Sequence, residues 1–375
     1  MRGAVAGNGR GMTVRTIGVE EELLLVDPDT LALTAMAGRA VRQHDGDEVE
    51  AELFLQQLET STEPAATADE LERVVREGRR EVCKAAADAG ARAVALAVPV
   101  LDGDGSDVTP DPRYLRIRDE YGELAEQSLT CAMHVHVEVA DDEEAVAVAD
   151  RIRPWLSVLL ALSANSPIWR GRDTTHASWR SQIWTRWPTG GPSDPFGDPA
   201  GYRRSVERMQ SWGAALDPGM LYLDVRLAER YPTVEIRVPD VCVEADDAVL
   251  VALLCRGLVE TSARAWRAGE GVDAWRVDEL KAASWRAGRH GLAGPLVHPA
   301  QRALAPTREV VRDLVHLVRP ALDDSGDGAL VTDLVERLIA RGNGAVRQRA
   351  VLEATGSLER VVADIADRTE ASWQG

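Results

Sequence analysis

The sequence predicts an α+β protein in which an antiparallel sheet carries helices on one side. Two observations lead there. Strand-like runs come mainly from the first two thirds of the chain, several with hairpin spacing, and helical periodicity fills the rest. In three strand runs the apolar residues alternate with charged or imidazole residues, so one face is fit for a core and the other for polar chemistry.

The N-terminal run Thr16 to Val26 (TIGVEEELLLV) is the first of these. Glu20, Glu22 and Leu24 share one face; Val19, Glu21, Leu23 and Leu25 share the other. Glu20 and Glu22 stand about 6.6 Å apart along the strand, and such neighbours repel unless a cation lies between them. The competing reading is an acidic edge that discourages strand pairing. A turn at Asp27-Pro28-Asp29 leads to a short return strand at 31–35, and residues 48–60 read as one further strand. Thr67-Ala68-Asp69-Glu70 has the capping-box spacing and opens a helix to about Ala89. Ala93 to Pro99 reads as a strand, 102–112 as a Gly/Asp/Pro loop without the glutamate an EF-hand needs, and 114–126 as a polar helix. Ala132 to Val139 is a strand; Asp141 or Asp142 caps a helix to about Ala164 with Pro154 expected to kink it. Residues 165–200 form a long connection. Two strands lie within 220–239, joined at Arg230-Tyr231-Pro232. An apolar helix runs from Asp246 to about Ala268, and helices fill the remainder apart from 288–299.

The 375 residues carry a net charge of −18, which argues against a nucleic-acid backbone or an anionic membrane as partner. With 45% hydrophobic and 28% charged residues the composition is that of a globular protein. Cys83, Cys131, Cys242 and Cys255 have neither disulfide-framework nor zinc spacing and are expected to be reduced, in a cytoplasmic protein. No apolar run has transmembrane length. Residues 1–12 are Gly-rich, lack a signal-peptide core and are expected to be disordered; residues 13–375 are expected to form a single domain. The helical C-terminal third offers surfaces for a homo-oligomer without marking a seam.

Two more strands repeat the polar face. In CAMHVHVEV, His134, His136 and Glu138 oppose Met133, Val135, Val137 and Val139. In YPTVEIRVPD, Thr233, Glu235 and Arg237 oppose Val234, Ile236 and Val238; a salt bridge to Asp224 or Arg226 on the neighbouring strand is the plainer reading there. Glu52 and Glu59 are seven residues apart, so strict alternation sends them to opposite faces unless the strand bulges or bends. The 165–200 connection carries Trp169, Trp179, Trp184 and Trp187 among Arg170, Arg172, Arg180 and Arg186, residues suited to carboxylate or phosphate, or to indole–guanidinium packing. No phosphate-loop, GxGxxG, GxSxG or HExxH motif is present.

The motifs GVEEELLLVDP, QLETST, HVHVEV, SANSPIWRGRDT with SQIWTRWPTGGP, and RYPTVEIRVPD, in this order from near Met12 onward, resemble the glutamate–cysteine ligase type 2 family. These are ATP-dependent carboxylate–amine ligases of the wider group with a glutamine synthetase-like catalytic fold. The resemblance implies a curved antiparallel sheet whose concave face holds ATP and Mg²⁺, with Mn²⁺ as an alternative. It implies metal positions at Glu20, Glu22, Glu52, Glu59, His134 and Glu235, and a phosphate-contacting arginine at Arg237. Arg180, Arg172 and Arg289 correspond to residues expected to meet substrate or ATP. The chain departs from the family pattern with Thr175-His176 in place of Gly-Tyr and Trp179 in place of Tyr, changes that bear on substrate identity. The implied reaction passes through an acyl phosphate, formed from a carboxylate such as the γ-carboxylate of glutamate and consumed by an amine such as cysteine, and activity toward this pair is weak in this branch. Rival readings are a two-metal phosphoryl hydrolase, a non-catalytic cation- or partner-binding protein, and phosphoryl transfer to a guanidine.

Overall fold

The computed structural model describes residues 14–46, 48–101 and 107–374. The expected N-terminal extension and the 102–106 part of the expected loop lie outside them. In chain order the elements are β1 (Ile17–Val26), α1 (Ala37–Gln43), β2 (Val49–Ala51), β3 (Gln57–Ser61), α2 (Ala68–Asp88), β4 (Arg92–Val94), α3 (Pro112–Tyr121), α4 (Glu123–Glu126), β5 (Met133–Glu138) and α5 (Asp142–Ser163). There follow β6 (Ile168–Trp169), β7 (Arg172–Asp173), α6 (Arg180–Trp184), α7 (Pro199–Ser211), β8 (Val225–Leu227), β9 (Thr233–Ile236), α8 (Ala245–Arg267) and α9 (Val277–His290). The chain ends with β10 (Leu296–His298), β11 (Ala303–Ala305), α10 (Thr307–Ser325), α11 (Gly328–Arg341), α12 (Gly344–Thr355) and α13 (Leu358–Ala371).

Seven strands form the main sheet in the order β2-β3-β1-β5-β9-β8, with β4 pairing the end of β1, and every pairing is antiparallel. Alternation decides which face is buried. Ile17 and Val19 of β1, Met133, Val135 and Val137 of β5, and Val234 and Ile236 of β9 enter one core with α5, α8, α10 and α11. The second half of β1 packs with β4, α1, the C-terminal half of α2 and α13 in another. Glu21 lies on the covered face, and Arg79 of α2 meets it through Nε and Nη2 at 2.8 and 2.6 Å, both side chains buried. The pair is satisfied further by the carbonyls of Cys242 and Val243, which accept from Arg79. The opposite face of the sheet is left for polar groups.

Several expected elements take a different form. The single strand over 48–60 is instead a hairpin of β2 and β3. The return strand at 31–35 reduces to one bridge between Val26 and Leu33. Strand 93–99 is pared to β4. The helix over 114–126 is split at Gly122, whose φ of +53° no side-chain-bearing residue adopts readily. Helix α7 was not expected, although Asp198 caps it and Pro199 occupies its first turn. The capping box of Thr67 and Glu70 and the cap of α5 by Asp141 are present as read. All four cysteines are free. Among the described residues, no helix is long and apolar enough to cross a membrane.

Candidate active site

Register brings the polar residues of five strands together. Glu20 of β1 faces His134 of β5, Glu22 faces Glu59 of β3, and His136 faces Glu235 of β9, which in turn faces Arg226 of β8. A period of two then aims all of them to the uncovered face. There Glu20, Glu22, Glu59, His134 and Arg226 border a cavity of about 280 Å³, together with Glu52, Arg113, Tyr114, Trp184, Tyr222 and Arg237.

Glu52 and Glu59 reach the same cavity without a bulge. The chain reverses between β2 and β3, so their seven-residue separation no longer fixes a parity. Glu52 follows the end of β2, and its carboxylate accepts from the Leu53 N–H at 3.0 Å.

The carboxylates fall into two electrostatic classes. Burial works to raise Glu20, but hydrogen bonds from His134 and His136 outweigh it and hold Glu20 well below the usual carboxylate range. His134 Nδ1 lies 3.1 Å from Glu20 Oε2 and His136 Nε2 lies 3.2 Å from Oε1. Burial, and then the Arg237 charge, push His134 down to about 4, whereas Glu20 overcomes burial at His136 and raises it. His134 is thus the neutral imidazole of the pair, the form that can donate a lone pair to a metal. In the second class, burial and the Glu52 charge push Glu22 up to about 7 against the Ala132 N–H and the charges of Arg180 and Arg237. Burial likewise raises Glu52, and burial followed by Glu20, Glu52 and Glu22 raises Glu59 well above its ordinary value.

These groups fit a divalent cation. Single donor atoms of Glu20, His134 and Glu235 all lie within 4.8 Å of one another, and so do those of Glu22, Glu59 and His134. His134 Nε2 is buried without a hydrogen-bond partner, 3.9 Å from Glu22 Oε1. Carboxylate oxygens with one imidazole suit Mg²⁺ or Mn²⁺.

Glu235 differs from the others because arginines already hold it. Arg226 donates to it through Nε at 2.6 Å and Nη2 at 3.1 Å, and Arg237 donates to the same carboxylate. Burial would raise Glu235, but Arg237 and then Arg226 bring it down to about 2. The cross-strand salt bridge weighed for this strand is therefore present, in the same place as the cluster. Arg237 also stacks on Trp184, 5.4 Å from the ring centroid, with Arg180 at 5.4 Å from that centroid.

The other arginines sit elsewhere. Arg180 is buried and gives its Nη atoms to the carbonyls of Val238 and Arg237 at 3.2 and 3.0 Å, with Asp240 at 3.6 Å. It braces the end of β9 and does not border the acidic cavity. Arg172 is exposed on β7, and Arg289 donates to the Thr175 carbonyl; neither borders that cavity. Sequence reasoning passed over Arg113, Tyr114 and Tyr222. Asp111-Pro112 is a readable helix start, and it puts Arg113 and Tyr114 in the first turn of α3. Asp217 fixes Arg113 through bonds of 2.8 and 3.0 Å.

The sequence pattern of glutamate–cysteine ligase family 2 (GCS2) matches residues 16–364. The chain belongs to that family. A Nocardioides sp. protein provisionally named glutamate–cysteine ligase 2-1 is 49% identical over 374 residues, covering 96% of this chain and 97% of the relative. A protein of the same provisional name from Streptomyces avermitilis is 47% identical over 362 residues, covering 95% of this chain and 100% of the relative. Among solved structures, a bifunctional glutathione synthetase from Pasteurella multocida superposes with a TM-score of 0.69 at 17% identity, covering 96% of this chain. The chain spans about half of that enzyme, 53% of its length. A glutamate–cysteine ligase from Francisella tularensis, solved in complex with AMP, gives a TM-score of 0.60 at 12% identity, covering 97% of this chain and 90% of that one. These likenesses bear out the glutamine synthetase-like fold implied by the motifs. The protein is an enzyme of the glutamate–cysteine ligase kind, a carboxylate–amine ligase that forms a carbon–nitrogen bond.

Proposed function

We propose that residues 13–375 act as one catalytic unit that consumes ATP to join the γ-carboxylate of glutamate to an amine such as cysteine, through an acyl phosphate. The observation that carries this is the row of carboxylates along β1 and β3 that line one cavity, with no arginine, among the described residues, at ion-pair distance from Glu22 or Glu59. Glu20, Glu22, Glu52, Glu59, His134 and Glu235 would hold Mg²⁺. The bound ion supplies charge neutralisation at the ATP phosphates.

In the first step a substrate carboxylate oxygen attacks the γ-phosphorus, the bond to the β-phosphate oxygen breaks, and ADP leaves. Two anions must meet, and at 4 Å and an intermediate dielectric their repulsion is on the order of 4 kcal/mol. In this reading Arg237 meets the transferred phosphate, which is supported by its guanidinium being held at the acidic cavity between Glu235 and the Trp184 ring. Arg226 takes over Glu235 whenever Arg237 turns to the phosphate. Arg180 holds the backbone of Arg237 in place and so acts by positioning. Arg172 on β7 and Arg289 on α9 would meet substrate outside the acidic cavity. In the second step the amine nitrogen attacks the acyl carbon, the bond to the phosphate oxygen breaks, the nitrogen gives up a proton to the departing phosphate, and the amide forms.

The test is an ADP-release screen with Mg²⁺, glutamate and a panel of amines, with products read by mass. Amide and ADP in equal amounts are expected, and Glu20→Gln abolishes both while circular dichroism stays unchanged. Phosphate release independent of acid and amine overturns the ligase mechanism.

A further inference from the structure

A second cavity, of about 270 Å³, lies beside the acidic one and shares Trp184 with it. Its floor is apolar, from Leu160 of α5 and Val238 beyond β9. Helix α9 closes one side, with Lys281 and Trp285 spaced i, i+4 on the same face. Trp285 is 49% exposed, so the opening is there. The anionic group of the lining is Asp224, just before β8. Its backbone is used on both sides: the N–H donates to the Gly191 carbonyl at 3.0 Å and the carbonyl accepts from Arg237 N–H at 3.0 Å.

The Asp224 carboxylate is the odd group. Among the described residues it has no ion pair within 4.0 Å and no hydrogen bond, although it faces the cavity. Arg180 borders the same cavity, but its Nη atoms are spent on carbonyls and its charge is answered by Asp240. Burial pushes Asp224 up to about 7, opposed by the charges of Arg180 and Lys281. Asp224 is half-buried, and a cavity that combines apolar surface from Leu160, Val238, Trp184 and Trp285 with an unpartnered carboxylate has the form of a small-molecule site.

We infer that this cavity is a second ligand site, one that takes a small primary ammonium compound with an apolar body. The ammonium pairs with Asp224, and the body lies against Leu160, Val238 and the two indoles. The exposed ring of Trp285 gives the cation a π face as it enters. Lys281 is the internal competitor, an ammonium on the same cavity wall whose charge already acts on Asp224. Because Trp184 walls both cavities and stacks on Arg237, occupancy of one is sensed in the other. The inference does not depend on the proposed reaction.

The test is equilibrium titration of the full chain without nucleotide, by tryptophan fluorescence and calorimetry, using benzylamine and its neutral counterpart benzyl alcohol. Benzylamine binds about tenfold tighter or better. Asp224→Asn weakens benzylamine on the order of thirtyfold and leaves benzyl alcohol unchanged. Lys281→Met tightens benzylamine, and Trp285→Ala, at an exposed position, weakens it. Equal affinity for the two probes overturns the inference, as does wild-type benzylamine affinity in a folded Asp224→Asn. If Asp224→Asn fails to fold, the Lys281 and Trp285 variants decide, and unchanged affinity in both overturns it. In the ligation assay, benzylamine that competes with the acceptor amine marks the cavity as the acceptor site. Benzylamine that leaves the acceptor KM unchanged marks a separate effector site. Both outcomes keep the binding site. Absence of ADP release defeats the proposed reaction alone, since the binding isotherms are measured without turnover.

Discussion

Glu22→Gln should make the metal-free protein more stable and at the same time disable its cation site. Glu22 is held near 7 against an ordinary 4.5, so the folded chain binds a proton that the unfolded chain has already lost. The sign follows from linkage: between pH 4.5 and 7 the folded state carries more protons, so its stability falls as pH rises. At about 1.36 kcal/mol per pH unit, the loss above pH 7 is on the order of 3 kcal/mol. Glutamine keeps the acceptor for the Ala132 N–H, which donates to Glu22 Oε2 at 2.7 Å, and removes the charge that Glu52 repels. In a chain of 375 residues, with an unfolding entropy near ~2.1 cal/mol/K per residue, that is a rise of roughly 4 °C in Tm. The assay is thermal melting at pH 4 to 8 in chelator and in Mg²⁺. The variant should gain at pH 8 in chelator, gain nothing at pH 4, and lose most of the wild-type stabilisation by Mg²⁺. A variant no more stable than wild type at pH 8 in chelator, or a wild-type Tm indifferent to Mg²⁺, refutes the reasoning.

Three further outcomes are expected. Arg237→Lys lowers kcat by roughly tenfold to a hundredfold with a smaller change in ATP affinity, since a point charge replaces a planar fork; steady-state kinetics with unchanged kcat would remove Arg237 from the phosphate. Arg226→Met frees one side of Glu235 and tightens Mn²⁺ by about tenfold, read by electron paramagnetic resonance; equal or weaker binding would show that Arg226 does not compete with the ion. Glu21→Ala strands the buried Arg79 guanidinium and costs about 3–5 kcal/mol in urea unfolding, yet leaves Mn²⁺ binding intact because Glu21 faces the helices; a cost under about 1 kcal/mol contradicts the burial of the pair.

The site was legible wherever alternation alone carried it. Glu20 and Glu22, His134 and His136, and Glu235 sit on the face their strands assign, and Glu21 sits on the other. Alternation was silent where the chain turns: Glu52 and Glu59 belong to two strands, and no periodicity within 48–60 announces the reversal. Pairing across strands was legible in part. The Arg226–Glu235 bridge is the cross-strand salt bridge that the strand pattern suggests, whereas nothing local says that Glu59 stands opposite Glu22. The arginines of the long connection were read by type rather than place, and the fold buries Arg180 while leaving Arg172 and Arg289 outside the acidic cavity. Helix α7 was missed because its apolar stripe, Tyr202, Val206 and Met209, is thin; its cap at Asp198 was the stronger sign.

The position of β1 also bears on how the chain is made. The strand leaves the ribosome before the other strands of its sheet, yet His134, its partner opposite Glu20, follows 114 residues later, and β5 in turn awaits β9. Contacts so distant in sequence form late. Throughout that wait the edge of β1 that β5 will cover is open to other nascent chains, although β3 can already pair the other edge. Three consecutive glutamates at its centre repel a second copy of themselves. The carboxylates proposed to hold a cation in the folded chain thus also oppose self-pairing of the unfinished polypeptide.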